Sequence, residues 1–254
     1  MGQQIVNGLF LGSIYALFAL GYTLVFGVLD ILNLAHAAVF MLASFLALTL
    51  VTAAGIPILG AFPLAMIGAG LLGLLLERVA FRPLRRRTDS NISGLISSLA
   101  VATVFEAVAL QVWGPNVTRF PFGTLPEGKP IPVLGAEISR LQLTTVAVAL
   151  ALFLALTWLV QGTRLGRQVR AVAESPRAAR ILGIDVDRAI AAAFFISSAL
   201  GGAAGVLFGL AYNSISPDMG RSVELKGLAV IILGGMGSMP GAVLAGFALG
   251  LSEV

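Results

Sequence analysis

The chain has 254 residues, 58% of them hydrophobic and only 11% charged, with a mean hydropathy of +0.98. A soluble domain carries roughly 25% charged residues, so these values exclude an ordinary water-soluble globule and define a membrane protein. No cysteine and a single histidine exclude a disulfide framework, a thiol redox centre and a zinc site of several His or Cys ligands, and the cations behind the isoelectric point near 10.1 cluster between apolar spans, unlike a solvated nucleic-acid-binding face.

The expected fold is all-α, a polytopic helical bundle of about seven to eight spans with room for a re-entrant or broken helix, forming one transmembrane domain over 1–254. The start, Met1-Gly2-Gln3-Gln4, lacks a basic n-region, so the first span, Ile5–Val28, reads as retained. Its narrow face holds Gly8, Gly12, Tyr15, Ala19, Tyr22 and Phe26. Small residues four apart let helices approach closely in lipid. Behind it come Asp30, Asn33 and His36, open between a proton relay and an interfacial turn. The next spans, Ala37–Ala54 and Ile58–Leu76, are separated by Gly55-Ile56-Pro57.

A basic loop follows with Arg78, Arg82, Arg85, Arg86 and Arg87. The fourth span, Asn91–Val112, carries Glu106. An acid near a helix centre costs about 2.5–3.5 kcal/mol on insertion, so Glu106 is expected to be protonated, paired or wetted by a pathway. Gly114–Ser139, with Pro115, Pro121, Pro126, Pro130 and Pro132, is a stiff irregular connection, open between a plain connector and a cap. The fifth span is Leu141–Val160. The last two, Ala189–Ala211 and Leu228–Leu251, carry Gly201, Gly205, Gly209, Gly246 and Gly250 as further packing positions.

Eleven of the sixteen basic residues fall in two loops on one side, which makes that side cytoplasmic. Arg119, Lys129, Arg140, Arg221 and Lys226 fall in the loops of the other side. Seven spans then place the N-terminus outside, unless a re-entrant segment near 29–37 changes the parity. Asp30–His36 before Ala37–Leu50 and Gly234–Gly241 before Ala242–Leu251 read as distant echoes of one helix-interrupting motif. The Gly234–Gly241 run has no Lys-Ser/Thr and no strand before it, so it is no phosphate loop. ATP-driven work therefore falls to another subunit.

Gly162–Arg188 (GTRLGRQVRAVAESPRAARILGIDVDR) is the most informative stretch. Ser175 suits an N-cap, Pro176 the first helical position and Gly183 the left-handed residue past the end. The spacing predicts a two-turn helix with Ala178, Ile181 and Leu182 on one side. A helix so short needs a docking surface to persist in water.

The stretches NGLFLGSIYALFALGYTLVFGVLDILNLAHA, ERVAFRPLR, GRQVRAVAESPRAARILGIDVDR and LGGMGSMPGA resemble the permease family of bacterial ABC importers for branched-chain amino acids, of the LivH type. That resemblance implies a multi-pass protein of the bacterial inner membrane, itself without cofactor or catalytic residue. It implies as partners a second homologous permease, two cytoplasmic ATPase subunits using ATP and magnesium, and a periplasmic binding protein. In it, Glu174, Ser175, Pro176, Arg177, Arg180, Ile181, Leu182 and Gly183 resemble the coupling helix that fits an ATPase groove. The expected cargo is leucine, isoleucine and valine, with urea, short amides or other amino acids as the alternative. A self-contained proton-coupled transporter using Glu106, Asp30 or His36 is the competing class. Relatives more often carry a neutral amide at Glu106 and His-Gly at His36-Ala37, and they continue past Val254, so a final C-terminal span is expected to be missing.

Overall fold

The computed structural model describes residues 2–86, 90–121, 123–124, 130–133 and 136–254. Arg87, Pro126 and Lys129 lie outside the described residues. Among the described residues ten α-helices run in order: α1 (Gly2–Leu29), α2 (His36–Thr52), α3 (Ile58–Leu76), α4 (Ser90–Trp113), α5 (Arg140–Gly162), α6 (Arg164–Glu174), α7 (Pro176–Ile181), α8 (Val186–Tyr212), α9 (Met219–Gly234) and α10 (Met239–Ser252). A small antiparallel hairpin, β1 (Ile131–Val133) and β2 (Ala136–Ile138), lies in the connection before α5.

Among the described residues five helices are long and apolar enough to cross a membrane: α1, α4, α5, α8, and α3 extended by a π-helical turn through Phe81. The spanning windows of α1 and α8 are 83% and 72% buried within the chain, against 22–28% for the other three. Thus α1 and α8 form the centre. The outer surfaces of α3, α4 and α5 present Leu71, Leu75, Ile96, Val104, Leu150 and Leu154, as lipid-facing helices must.

The chain reverses inside the bundle between α1 and α2. Asp30 adopts φ +54, which ends α1. The six residues Asp30–Ala35 then run back along α1, so that His36 begins α2 beside Phe18 and Tyr22. Those rings stand seven and eleven residues before Leu29, about 10–16 Å back along the helix. The 17-residue α2 is short because it starts at depth. This is the re-entrant element expected near 29–37. Asp30 and Asn33 do not share a helical face, because α1 ends at Leu29, before either of them.

The seventh predicted span, Leu228–Leu251, is not one helix. Gly235 and Gly237, both at φ +87, break it, and Ser238 Oγ accepts from Gly241 N at 3.2 Å to start α10. A Cβ on Gly241 would lie 1.7 Å from the Gly234 carbonyl oxygen, so only glycine lets the two helices fold against each other. Arg221 and Lys226, expected in an external loop, stand on α9 instead. Charges lower the hydropathy of 219–227 below that of a span, although their partners lie within the bundle.

Helix α10 packs antiparallel to α1. Gly8 faces Leu251, Gly12 faces Phe247 and Gly250, and Gly246 faces Ala16. A Cβ on Gly250 would lie 2.3 Å from the Gly12 backbone nitrogen, so here the backbones touch. On α8, Gly201 and Gly205 face α2, while Gly209 meets Ile215 and Phe120 beyond the helix end.

One end of the bundle gathers the first turns of α1 with Thr118 and Glu137 of the connection before α5. Gln3 Nε2 donates to the Glu137 carbonyl at 3.1 Å, and Gln142 Nε2 donates to Asn7 Oδ1 at 3.0 Å. Thr118 and Ile215 exchange backbone bonds of 2.8 and 2.9 Å, closing this end over α8. The arginine-rich segments sit at the opposite end, so the N-terminus lies on the side away from them.

Candidate functional site

At the arginine-rich end, Thr163 Oγ1 accepts from Gly166 N at 3.0 Å and starts α6 directly after α5. This amphipathic helix buries Val169 and Val172. Ser175 Oγ then accepts from Ala178 N at 3.2 Å, Pro176 takes the first position of α7, and Gly183 at φ +79 ends it. Ala179 faces inward at 1% exposure, while Ile181 and Leu182 are 82% and 76% exposed. Ala178, Arg177 and Arg180 are exposed too. The helix is thus tethered by one alanine and its caps, and its apolar residues point away from the chain.

Beneath it lies an ion-pair cluster that sequence reasoning assigned to sidedness alone. Arg85 pairs with Glu77 and, at 3.3 Å, with Asp187, and Asp187 also holds Arg82 at 3.2 Å. The Glu77 side chain is 2% exposed, whereas Arg82 and Asp187 are near 40%. Burial pushes the Arg85 guanidinium down from its ordinary value, against the pull of Glu77 and Asp187 in the opposite direction. Asp185 Oδ1 caps α8 by accepting from Arg188 N at 3.1 Å. The loop after α3 is therefore tied to the first turn of α8, just past α7. The available signal was Glu77, an acid at the end of an apolar span eight residues before Arg85.

Within the bundle the four candidate pathway residues separate. Asp30 is exposed at the end of α1. Asn33 is 2% exposed, with no partner for its amide among the described residues. His36 is 1% exposed, its ring 4.9 Å from that of Phe18 and 5.4 Å from that of Tyr22. Glu106 is paired: Arg221 Nη2 and Nε donate to its two oxygens at 2.6 and 3.2 Å. No side-chain hydrogen bond joins any two of Asp30, Asn33, His36 and Glu106 among the described residues.

A second charged group was not anticipated. Lys226 pairs with Glu253 and donates to the Tyr15 hydroxyl at 2.9 Å, which in turn donates to Glu253 at 2.8 Å. Tyr15 is at the midpoint of α1, so this triad lies at depth.

Two central helices, an α2 that starts at depth, a broken α9–α10 pair and an exposed capped helix at the basic end define a multi-pass membrane protein. Comparison with known proteins gives the family. Residues 4–254 match the family described as "Branched-chain amino acid transport system / permease component", and the chain belongs to it. It is 36% identical to the high-affinity branched-chain amino acid transport system permease protein BraD of Pseudomonas aeruginosa, over 99% of this chain and 84% of that protein. It is 35% identical to the permease LivH of the corresponding Escherichia coli K12 system, with the same coverage. A probable branched-chain amino acid permease of Methanocaldococcus jannaschii is 26% identical over 100% of this chain and 81% of its own length. No solved structure matches the chain.

Proposed function

We propose that this chain is the permease subunit of an ATP-driven importer carrying leucine, isoleucine and valine across the bacterial inner membrane. The observation that carries the reading is the match along nearly the whole chain to permeases of high-affinity branched-chain amino acid transport systems. The partners are a second homologous permease, two cytoplasmic ATPases that use ATP and magnesium, and a periplasmic binding protein. The chain itself needs no cofactor and performs no catalysis.

The unused apolar face of α7 supports the docking part. Ile181 and Leu182 are exposed on a helix too short to stand alone. An ATPase groove would cover them, and the Arg82–Asp187–Arg85–Glu77 cluster would carry its movement to α8 and α3.

Reconstitution in proteoliposomes with the cognate ATPases, second permease and binding protein tests this. Leucine uptake should require ATP and all the partners together. Uptake by this chain without ATPases, driven by a proton gradient, would replace the importer reading with secondary transport.

A further inference from the structure

Two ion pairs on α9 lie where a lipid-facing helix has none. Tyr15, at the middle of α1, holds Lys226 and Glu253, and Phe18 of α1 packs against Gly227. Glu106, the partner of Arg221, stands seven residues before the end of α4, about 10 Å along the helix. Both pairs are therefore at hydrocarbon depth. Even so, the Arg221 side chain is 71% exposed, and Lys226 and Glu253 are each 35% exposed. Charged side chains at such depth face a water-filled cavity or a protein partner, because hydrocarbon would leave them without solvation.

The surface between the pairs has a definite composition. At 3.6 residues per turn Arg221 and Lys226 are about 140° apart around α9, with Ser222 and Leu225 between them. Ser222 is exposed and Leu225 is 73% exposed, and the same stripe continues through Ile232 and Leu233. The stripe is thus an apolar strip framed on each side by one cation and one anion. Glu224 adds a buried carboxylate oxygen with no partner among the described residues.

We infer that this stripe of α9 lines the aqueous substrate route, and that the Glu106–Arg221 pair opens to a zwitterionic amino acid, Arg221 taking its carboxylate and Glu106 its ammonium, with the apolar side chain over Leu225. The inference rests on the importer reading, in which the second permease supplies the opposite wall. Each member of that pair trades the other for one charge of the substrate, so neither cation nor anion is stranded during passage. Leu225 and the apolar residues after it favour aliphatic side chains over polar ones.

The absence of cysteine allows a direct test in the assembled importer. Ser222→Cys and Leu225→Cys should react with a membrane-impermeant thiol reagent about tenfold or more faster than Leu71→Cys and Leu150→Cys on the lipid face. Equal rates would overturn the route. A second arm separates binding from mere structural pairing. The charge swap Glu106→Arg with Arg221→Glu keeps an ion pair but inverts it, and leucine uptake should stay reduced about tenfold or more. Full recovery of uptake in the swap would assign the pair to structure and overturn the binding role. A wild-type importer that moves another solute and not leucine would strike the cargo reading, while the labelling rates would still decide the route.

Discussion

The imidazole of His36 occupies the space that a side chain at Gly201 would need: a Cβ there would lie 2.6 Å from its Cε1 and 2.7 Å from its Nε2. A Cβ on Gly21, on the opposite side, would lie 3.0 Å from the same two ring atoms. The first turn of α2 is thus clamped between α1 and α8 by one ring and two glycines.

Gly201→Ala should destabilise the purified protein by about 1–3 kcal/mol, the usual range for overpacking a tight core. Combined with His36→Ala, which removes the ring, it should lose less than the sum of the two single changes. Thermal unfolding in detergent of the four proteins reads this coupling, and strict additivity would mean that the ring and the glycine do not compete for space.

The arginines after α3 should differ sharply. Arg85→Ala leaves the buried Glu77 carboxylate without its cation, a loss of about 3–5 kcal/mol for a buried pair broken on one side. Arg82→Ala removes an exposed contact to Asp187 and should cost under about 1 kcal/mol. Denaturant or thermal unfolding distinguishes them, and similar losses would show that burial of Glu77 is unimportant.

Ile181→Asp with Leu182→Asp should leave thermal stability within about 0.5 kcal/mol of the parent, since both side chains are exposed. Co-purification of the ATPases and leucine uptake should each fall about tenfold or more, because the apolar contact is lost at the dock. Retained association would remove α7 from the coupling contact.

At the opposite end, Asn213 holds φ +43 and its Oδ1 accepts from Phe120 N at 2.9 Å. Asn213→Ala combines left-handed strain of about 1–2 kcal/mol with loss of that bond. Asn213→Gly should relieve the strain alone and lose about 1 kcal/mol. Unfolding midpoints should rank parent, glycine variant, then alanine variant.

Much of the architecture was legible because its causes are local. Long apolar runs marked α1, α3, α4, α5 and α8, and arginine placement separated the two ends. Ser175, Pro176 and Gly183 located α7 because capping acts within four residues. Helix α9 was missed for the complementary reason. Arg221, Glu224 and Lys226 make 219–227 read as a loop by hydropathy, and what keeps them at depth is Glu106 on α4, 115 residues away, and Tyr15 on α1. The break at Gly235–Ser238 was visible as a glycine-rich run, but the reversal it produces depends on Gly234 meeting Gly241.

The sequence by itself determined that this chain crosses a membrane several times, which end carries the cations, and where a short capped helix would form. Hydropathy, charge and caps act over one turn or one span, so they can be read along the chain. Only the tertiary structure decided which charges neutralise one another, why His36 faces Gly201, and that Arg221 and Lys226 frame one exposed stripe. Those outcomes depend on helices far apart in sequence coming within a few ångströms, and no local pattern encodes that distance.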